Sequence, residues 1–231
     1  HKQIGGARLL LADMVGLGKT LQLAMSAKLM ALYGNNPILI IVPKALLYQW
    51  QDEMKTLLDM PSAVWSGRCW IDENGFEYPA DSVRSILKCP RKVGIVSQGL
   101  ITRRSEAAEL LKQIKYECVI LDEAHRARRK NLGKDADKYK AQPNNLLAFI
   151  DDISFRTHSM LLATATPVQI NPIEAFDLLD ALARPTDKVL GDGYSVWRKT
   201  PQTAIAYISG GEEPPKAEPE MWQIVRNPLP P

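Results

Sequence analysis

Three short segments carry side chains whose types and spacing could do phosphate chemistry. The first, Asp13-Met14-Val15-Gly16-Leu17-Gly18-Lys19-Thr20, joins two glycines to a lysine and a hydroxyl. Glycines let backbone N–H groups turn onto a phosphate, and a helix starting at Lys19 adds the positive end of its dipole. Lys19 can then reach the β- and γ-phosphates of a nucleotide while Thr20 ligates Mg²⁺. Gly16, Leu17, Gly18, Lys19 and Thr20 are the candidate nucleotide-binding residues. Asp13 stands where the strict form of such a loop has its first glycine, so a glycine-softened helix start is the competing reading.

The second segment is Asp122-Glu123-Ala124-His125, placed directly after the apolar run Cys118-Val119-Ile120-Leu121. Adjacent carboxylates at the end of a buried strand suit two tasks: Asp122 holds the Mg²⁺ shell, and Glu123 orients or deprotonates an attacking water. A solvated acidic loop is the alternative. With Lys19, these two form the candidate catalytic set. The third segment, Thr164-Ala165-Thr166-Pro167-Val168-Gln169, adds Thr164, Thr166 and Gln169, although a turn of small residues before a proline-started helix has the same composition. His125 reads as a link from the second segment toward the third rather than as a metal ligand, and with Thr164, Thr166 and Gln169 it joins the candidate nucleotide-binding residues. His1 and His158 read as incidental.

Positioning these segments requires a sheet. Apolar runs at Arg8 to Ala12, Ile38 to Val42, Val93 to Ser97, Glu117 to Leu121 and Ser159 to Ala163 read as strands buried on both faces. Helical stretches lie between and after them: Lys19 to Tyr33, the face formed by Leu46, Leu47, Trp50, Met54, Leu57 and Leu58, then Arg104 to Lys115, Asn144 to Asp152 and Pro172 to Ala183. This alternation predicts an α/β fold, a mostly parallel sheet with helices on both faces. The turns that follow parallel strands share one sheet edge, where ligands of open α/β sheets bind. All three chemical segments follow strands, and their convergence there is the strongest signal in the sequence.

Two regions break the rhythm. Trp70 to Tyr78 places Asn74-Gly75 between aromatic and aliphatic residues, the composition of a type I′ hairpin, expected as a small insert over 66–92. Trp65 and Trp70 beside it could stack on a base or simply pack. Beyond residue 190 the pattern fades into proline, so 1–190 reads as the folded lobe and 191–231 as a Pro-rich linker.

The 231 residues, 45% hydrophobic and 24% charged, fit one substantial domain plus an appendage and exclude disorder. Lys and Arg total 29 against 26 Asp and Glu, and a net charge of +3 does not by itself announce nucleic-acid binding. Any such contact must come from local clustering, as in Arg126, Arg128, Arg129 and Lys130, although a run of charge can also be a solvated loop. Cys69, Cys89 and Cys118 form no CxxC pair and read as reduced thiols. The longest aliphatic run, Ile38 to Val42, is far too short to span a bilayer, so no membrane is expected and the chain reads as cytoplasmic.

Taken together, Leu11 to Thr20, Ile40 to Trp50, Asp122 to His125 and Leu162 to Gln169 resemble motifs I, Ia, II and III of the Snf/Swi type of superfamily-two helicase-like ATPases, over roughly residues 7 to 183. The resemblance implies the first of two RecA-like P-loop NTPase lobes, with ATP and Mg²⁺ as cofactors and translocation on duplex DNA. By the same resemblance Pro43, Lys44, Ser97 and Gln98 would touch the nucleic-acid backbone beside Arg126, Arg128 and Arg129. Met14, where the family commonly has an acidic residue, and Ala163 and Ala165, where threonine and glycine are usual, depart from the pattern.

The family's adenine-recognising glutamine would lie before His1, and its second lobe and arginine finger beyond the linker, so the chain reads as a fragment with a possible fused or associated effector. A bacterial, nucleoid-associated setting is expected over a nuclear one. The alternatives are an RNA helicase, a restriction-type helicase subunit, or a regulatory module that binds ATP without hydrolysing it.

Overall fold

A computed structural model describes residues 6–14, 16–130, 142–169, 171–213, 216, 219 and 221. The chain enters on β1 (Arg8–Leu11) and passes through a loop into α1 (Lys19–Tyr33), β2 (Ile38–Val42) and α2 (Leu47–Leu58). Two short strands follow, β3 (Ala63–Trp65) and β4 (Trp70–Asp72), then β5 (Val93–Ser97), α3 (Gln98–Thr102), α4 (Glu106–Leu111) and β6 (Tyr116–Leu121). β7 (Arg129–Lys130) pairs with β8 (Gln142–Pro143) as a separate antiparallel ribbon. The chain continues through α5 (Asn145–Ser154), β9 (Thr157–Ala163), α6 (Ile173–Ala183), α7 (Val196–Lys199) and α8 (Pro201–Ser209).

Among the described residues the main sheet has seven strands in the order β1-β9-β6-β2-β5-β3-β4, parallel throughout except for β4 at its edge. Strands buried on both faces need apolar residues at every position, and all five residues of β2 and all six of β6 are buried. Alternate residues feed two cores. Ile38, Ile40 and Val42 pack with Leu23 and Ala27 of α1 and Trp50 and Met54 of α2. Leu39 and Ile41 pack on the other face with Ala108 of α4, Phe149 of α5 and Leu178 of α6. The α/β expectation is met.

Local chemistry sets the element ends. Gly18, at φ 72, opens α1, and Gly34 closes it with its N–H donating to Met30 O. The Ser105 and Asn144 side chains accept from Ala108 N and Leu147 N and so start α4 and α5. The helix expected from Arg104 to Lys115 is shorter than its apolar pattern. Arg104 adopts φ 50 and breaks it from α3, and only Glu106–Leu111 is helical.

The hairpin forms, but its turn is not type I′, because Gly75 has positive φ and Asn74 does not. The Asp72 carboxylate decides this by accepting from both Asn74 N (2.9 Å) and Phe76 N (3.0 Å), which selects a turn ending in one left-handed glycine. The β4 strand of this insert pairs with β3 and extends the sheet. Arg91 clamps the turn to the body through Asp72 (2.8 Å) and Glu73 (2.9 Å). Trp65 and Trp70 pack edge to face at 5.3 Å and are 3% exposed, so they are core and not base-stacking platforms.

The linker expected from 191 gives way over 191–209. There α7 and α8 close a third core in which Trp197 and Ala204 meet Leu190, Ala183 and Phe176. Trp197 lies nearly parallel to Phe176 at 6.5 Å. Of the prolines behind the linker expectation, only Pro219 lies within the described residues. Among the described residues no helix is long and apolar enough to cross a membrane.

Trp197→Ala should therefore cost about 3 kcal/mol of stability, as removal of a buried tryptophan does elsewhere. Denaturant unfolding measures the loss, and limited proteolysis should show earlier cleavage between residues 184 and 210; an unchanged midpoint would return this segment to the linker class.

Candidate functional site

Register brings the carboxyl ends of the strands level. Leu11 pairs with Ala163, Ile41 with Leu121 and Val42 with Ser97, so the residues that follow emerge side by side. Two further backbone bonds carry the ladder into the site: Thr164 N donates to Leu11 O and Asp122 N to Ile41 O, each at 3.0 Å. The three chemical segments therefore begin from fixed positions on one edge.

After β1 the chain loops over the mouth of α1. Gly16 and Gly18 take φ 88 and 72, where a Cβ would be strained, and no atom lies within 4 Å of where either Cβ would be. The loop therefore turns bare backbone toward open space at a helix N-terminus. The Lys19 ammonium crosses that mouth and donates to the carbonyls of Asp13 (2.7 Å) and Met14 (2.9 Å). Both of these partners are main-chain oxygens, which is why a methionine at position 14, 75% exposed, leaves the lysine's hydrogen bonds intact.

After β6 comes Asp122, 9% exposed. Its Oδ1 accepts from Glu123 N (2.9 Å) and its Oδ2 from Trp50 Nε1 (3.2 Å). Burial pushes the Asp122 carboxyl above its ordinary range, opposed by those two donors and by attraction to Lys19. Glu123 reverses the chain in the left-handed region at φ 49, an uncommon conformation for a residue with a side chain. The turn brings its carboxylate back to His125, whose Nδ1 lies 3.2 Å from Glu123 Oε2 and 3.0 Å from Thr164 Oγ1. The link expected from the second segment to the third through His125 is present.

After β9, Thr164 is 1% exposed and its hydroxyl also accepts from Thr166 N at 3.1 Å. Gln169 closes the turn. Its Nε2 donates to Thr166 Oγ1 (3.3 Å), its Oε1 accepts from Arg128 Nη1 (3.2 Å), and its N–H donates to Glu174 Oε2 (2.7 Å). Thr164, Thr166 and Gln169 thus lie in one hydrogen-bonded turn beside His125.

The residues assigned to nucleic acid separate into two groups. Lys44 and Arg126 are exposed at this edge, with Pro43 and Ser97 half-buried beside them. Gln98 and Arg129 are each engaged by a partner within the chain. Gln98 is 3% exposed and its Nε2 donates to Asp122 O at 2.7 Å, so it buttresses the acidic turn from within. Arg129 commits its guanidinium to Asp177 through three hydrogen bonds of 2.7 to 3.0 Å, pairing a carboxylate that is otherwise buried. Arg128 is intermediate, 41% exposed at its side chain yet bonded to Gln169 and 3.7 Å from Glu174.

Sequence reasoning misses one member of the site. Trp50 reads as core, and it is 1% exposed, but its indole N–H also reaches Asp122. The available signal is chemical, since a buried indole N–H requires an acceptor.

The donor set suits Mg²⁺ and a nucleoside triphosphate. Among the described residues no group of three or more His, Cys, Asp or Glu could hold a metal. A metal here would rest on the hard oxygens of Thr20 and Asp122, completed by phosphate and water, the usual habit of Mg²⁺. The open glycine loop and Lys19 fit the phosphates.

Comparison with known proteins agrees with this geometry. A family model described as SNF2-related domain matches residues 2–226. The ATP-dependent helicase BRM of Arabidopsis thaliana is 31% identical over 180 residues, 75% of this chain and 7% of BRM. RNA polymerase-associated protein RapA of Vibrio parahaemolyticus is 30% identical over 165 residues, 71% of this chain and 15% of RapA. The chain thus spans only a small part of the relatives it matches.

In structure it is similar to the Sulfolobus solfataricus SWI2/SNF2 ATPase core in complex with dsDNA, with a TM-score of 0.57 at 19% identity, over 97% of this chain and 39% of that one. It is also similar to the Pyrococcus furiosus Hef helicase domain, with a TM-score of 0.52 at 16% identity, over 96% and 49% respectively. At these identities the likeness is one of fold alone. A parallel sheet with a glycine loop, an acidic turn and a threonine turn on one edge, matched along nearly its whole length, places this chain in the SNF2-related domain family.

Proposed function

We propose that this chain is the nucleotide-binding lobe of an ATP-driven translocase on duplex DNA, working with a second RecA-like lobe. The observation that carries the reading is the meeting of Lys19, Asp122, Glu123 and the His125–Thr164 pair on one sheet edge. Lys19 trades its two carbonyl partners for the β- and γ-phosphates, and the N–H groups at Gly16 to Thr20 take further phosphate oxygens. Thr20 and Asp122 hold Mg²⁺, which when bound neutralises charge developing on the phosphates. Glu123 orients the attacking water and accepts its proton. The bond from His125 to Thr164 couples that acid to the turn after β9.

Hydrolysis is favoured over a purely regulatory role because the departure at Met14 lies in an exposed side chain while its carbonyl keeps the lysine hydrogen bond. Duplex DNA is favoured as the track by membership of the SNF2-related family and by similarity of fold to an ATPase core bound to dsDNA. Lys44 and Arg126 are the exposed cations at this edge that would meet its phosphates.

Lys19→Ala should abolish nucleotide binding, read by titration with a fluorescent ATP analogue; unaltered affinity would remove Lys19 from the site. Glu123→Gln, assayed with the second lobe present, should keep Mg-ATP binding and lose about 10²-fold or more in turnover, in the range of lost general-base catalysis. Turnover near the parent rate would make Glu123 a structural acid. Replacing Lys44 and Arg126 with alanine should weaken duplex binding and lower the slope of log affinity against log salt by about one unit for each phosphate no longer neutralised, while Arg129→Ala should leave that slope unchanged.

A further inference from the structure

Trp50 lies outside the three chemical segments, yet it makes the only inter-element side-chain hydrogen bond to the Asp122 carboxylate among the described residues. The two oxygens of that carboxylate are held from different directions, Oδ1 by the amide of Glu123 and Oδ2 by the indole. Rotating the carboxylate out of its present plane breaks both bonds. Each oxygen accepts one of them and keeps a second lone pair, so the carboxylate is fixed in orientation and still able to ligate.

The indole itself has no freedom to follow a moving partner. Trp50 is 1% exposed, sits in the core between α2 and the sheet with Leu47, Met54, Ile95 and Ile120, and its N–H can only donate. Gln98 steadies the same turn from the other flank by donating to Asp122 O. A phenyl ring at position 50 would keep an apolar aromatic in the core and lose the donor. What the indole adds is a donor aimed at one carboxylate oxygen.

We propose that Trp50 is a positioning residue for the metal: its indole N–H sets the Asp122 carboxylate in the orientation that receives Mg²⁺ with the bound nucleotide. The inference rests on the proposed Mg-ATP site. It adds that the metal's hold depends on a core side chain from α2.

The test measures affinity for a non-hydrolysable ATP analogue by calorimetry, with excess Mg²⁺ and with EDTA, for the parent chain and for Trp50→Phe. The ratio of the two affinities reports metal binding separately from phosphate binding. Trp50→Phe should lower that ratio about tenfold, the scale of a lost hydrogen bond to a charged group, with affinity in EDTA little changed, while the unfolding midpoint falls because a buried acceptor loses its donor. A second variant carries the benzothienyl isostere at position 50, which keeps the bicyclic shape without the N–H, and should behave as Trp50→Phe does even if the smaller ring disturbs folding.

A parent-like ratio in the isostere, or an equal loss in EDTA and in Mg²⁺, would overturn the positioning role. A parent chain that binds the analogue but shows no gain from Mg²⁺ would overturn it as well. If the parent chain binds no nucleotide under either condition, the proposed Mg-ATP site itself fails and the inference falls with it, an outcome distinct from the others.

Discussion

Six strands running the same way can deliver their carboxyl ends to only one edge of a sheet, and every chemical feature of this chain depends on that constraint. The residues that follow β1, β2, β5, β6 and β9 are far apart in sequence. The ladder makes them neighbours because each register aligns the last paired residues, as in Leu11 with Ala163 and Ile41 with Leu121. Sheet hydrogen bonding then runs one residue further, from Thr164 N to Leu11 O and from Asp122 N to Ile41 O. The site is thus assembled by the same backbone bonds and two-sided apolar burial that hold the fold together.

At the centre of that edge the chain does something unfavourable. It buries a carboxylate, pushing Asp122 toward its neutral form, and answers with donors from Glu123 N and Trp50 while Gln98 braces the backbone carbonyl. A buried charge persists where its hydrogen bonds are supplied. Glu123 adds backbone strain through its left-handed conformation, and the strain aims its carboxylate at His125. The surrounding cations divide between structure and surface. Arg129 is bound to Asp177, whereas Lys44 and Arg126 stay exposed.

Much of this is legible in the sequence, and the limits have physical causes. The bounds of α1 follow from punctuation, a glycine loop before it and Gly34-Asn35-Asn36-Pro37 after it. The central strands are visible because burial on both faces demands unbroken apolar runs. β3 is not, because three residues hold no periodicity. The turn at Asn74 differs from its dipeptide signature because Asp72 reaches across it, a preference no dipeptide rule contains. The helices α7 and α8 are hidden by the prolines around them and by a core that exists only once Phe176 is in place. Gln98 and Arg129 look like surface groups because their partners, Asp122 and Asp177, stand far along the chain. Residue type announces the chemistry, and pairing decides which polar side chains remain available for it.

The central claim is that three segments on one sheet edge form a single nucleotide site. Backbone hydrogen exchange, measured by mass spectrometry with and without a non-hydrolysable Mg-ATP analogue, tests it most directly. The account predicts slowed exchange around Gly18, Asp122 and Thr164 together, with none around Pro37 and Arg156 at the opposite ends of the strands. Protection confined to that opposite edge, or to one of the three segments alone while the analogue is bound, would contradict it.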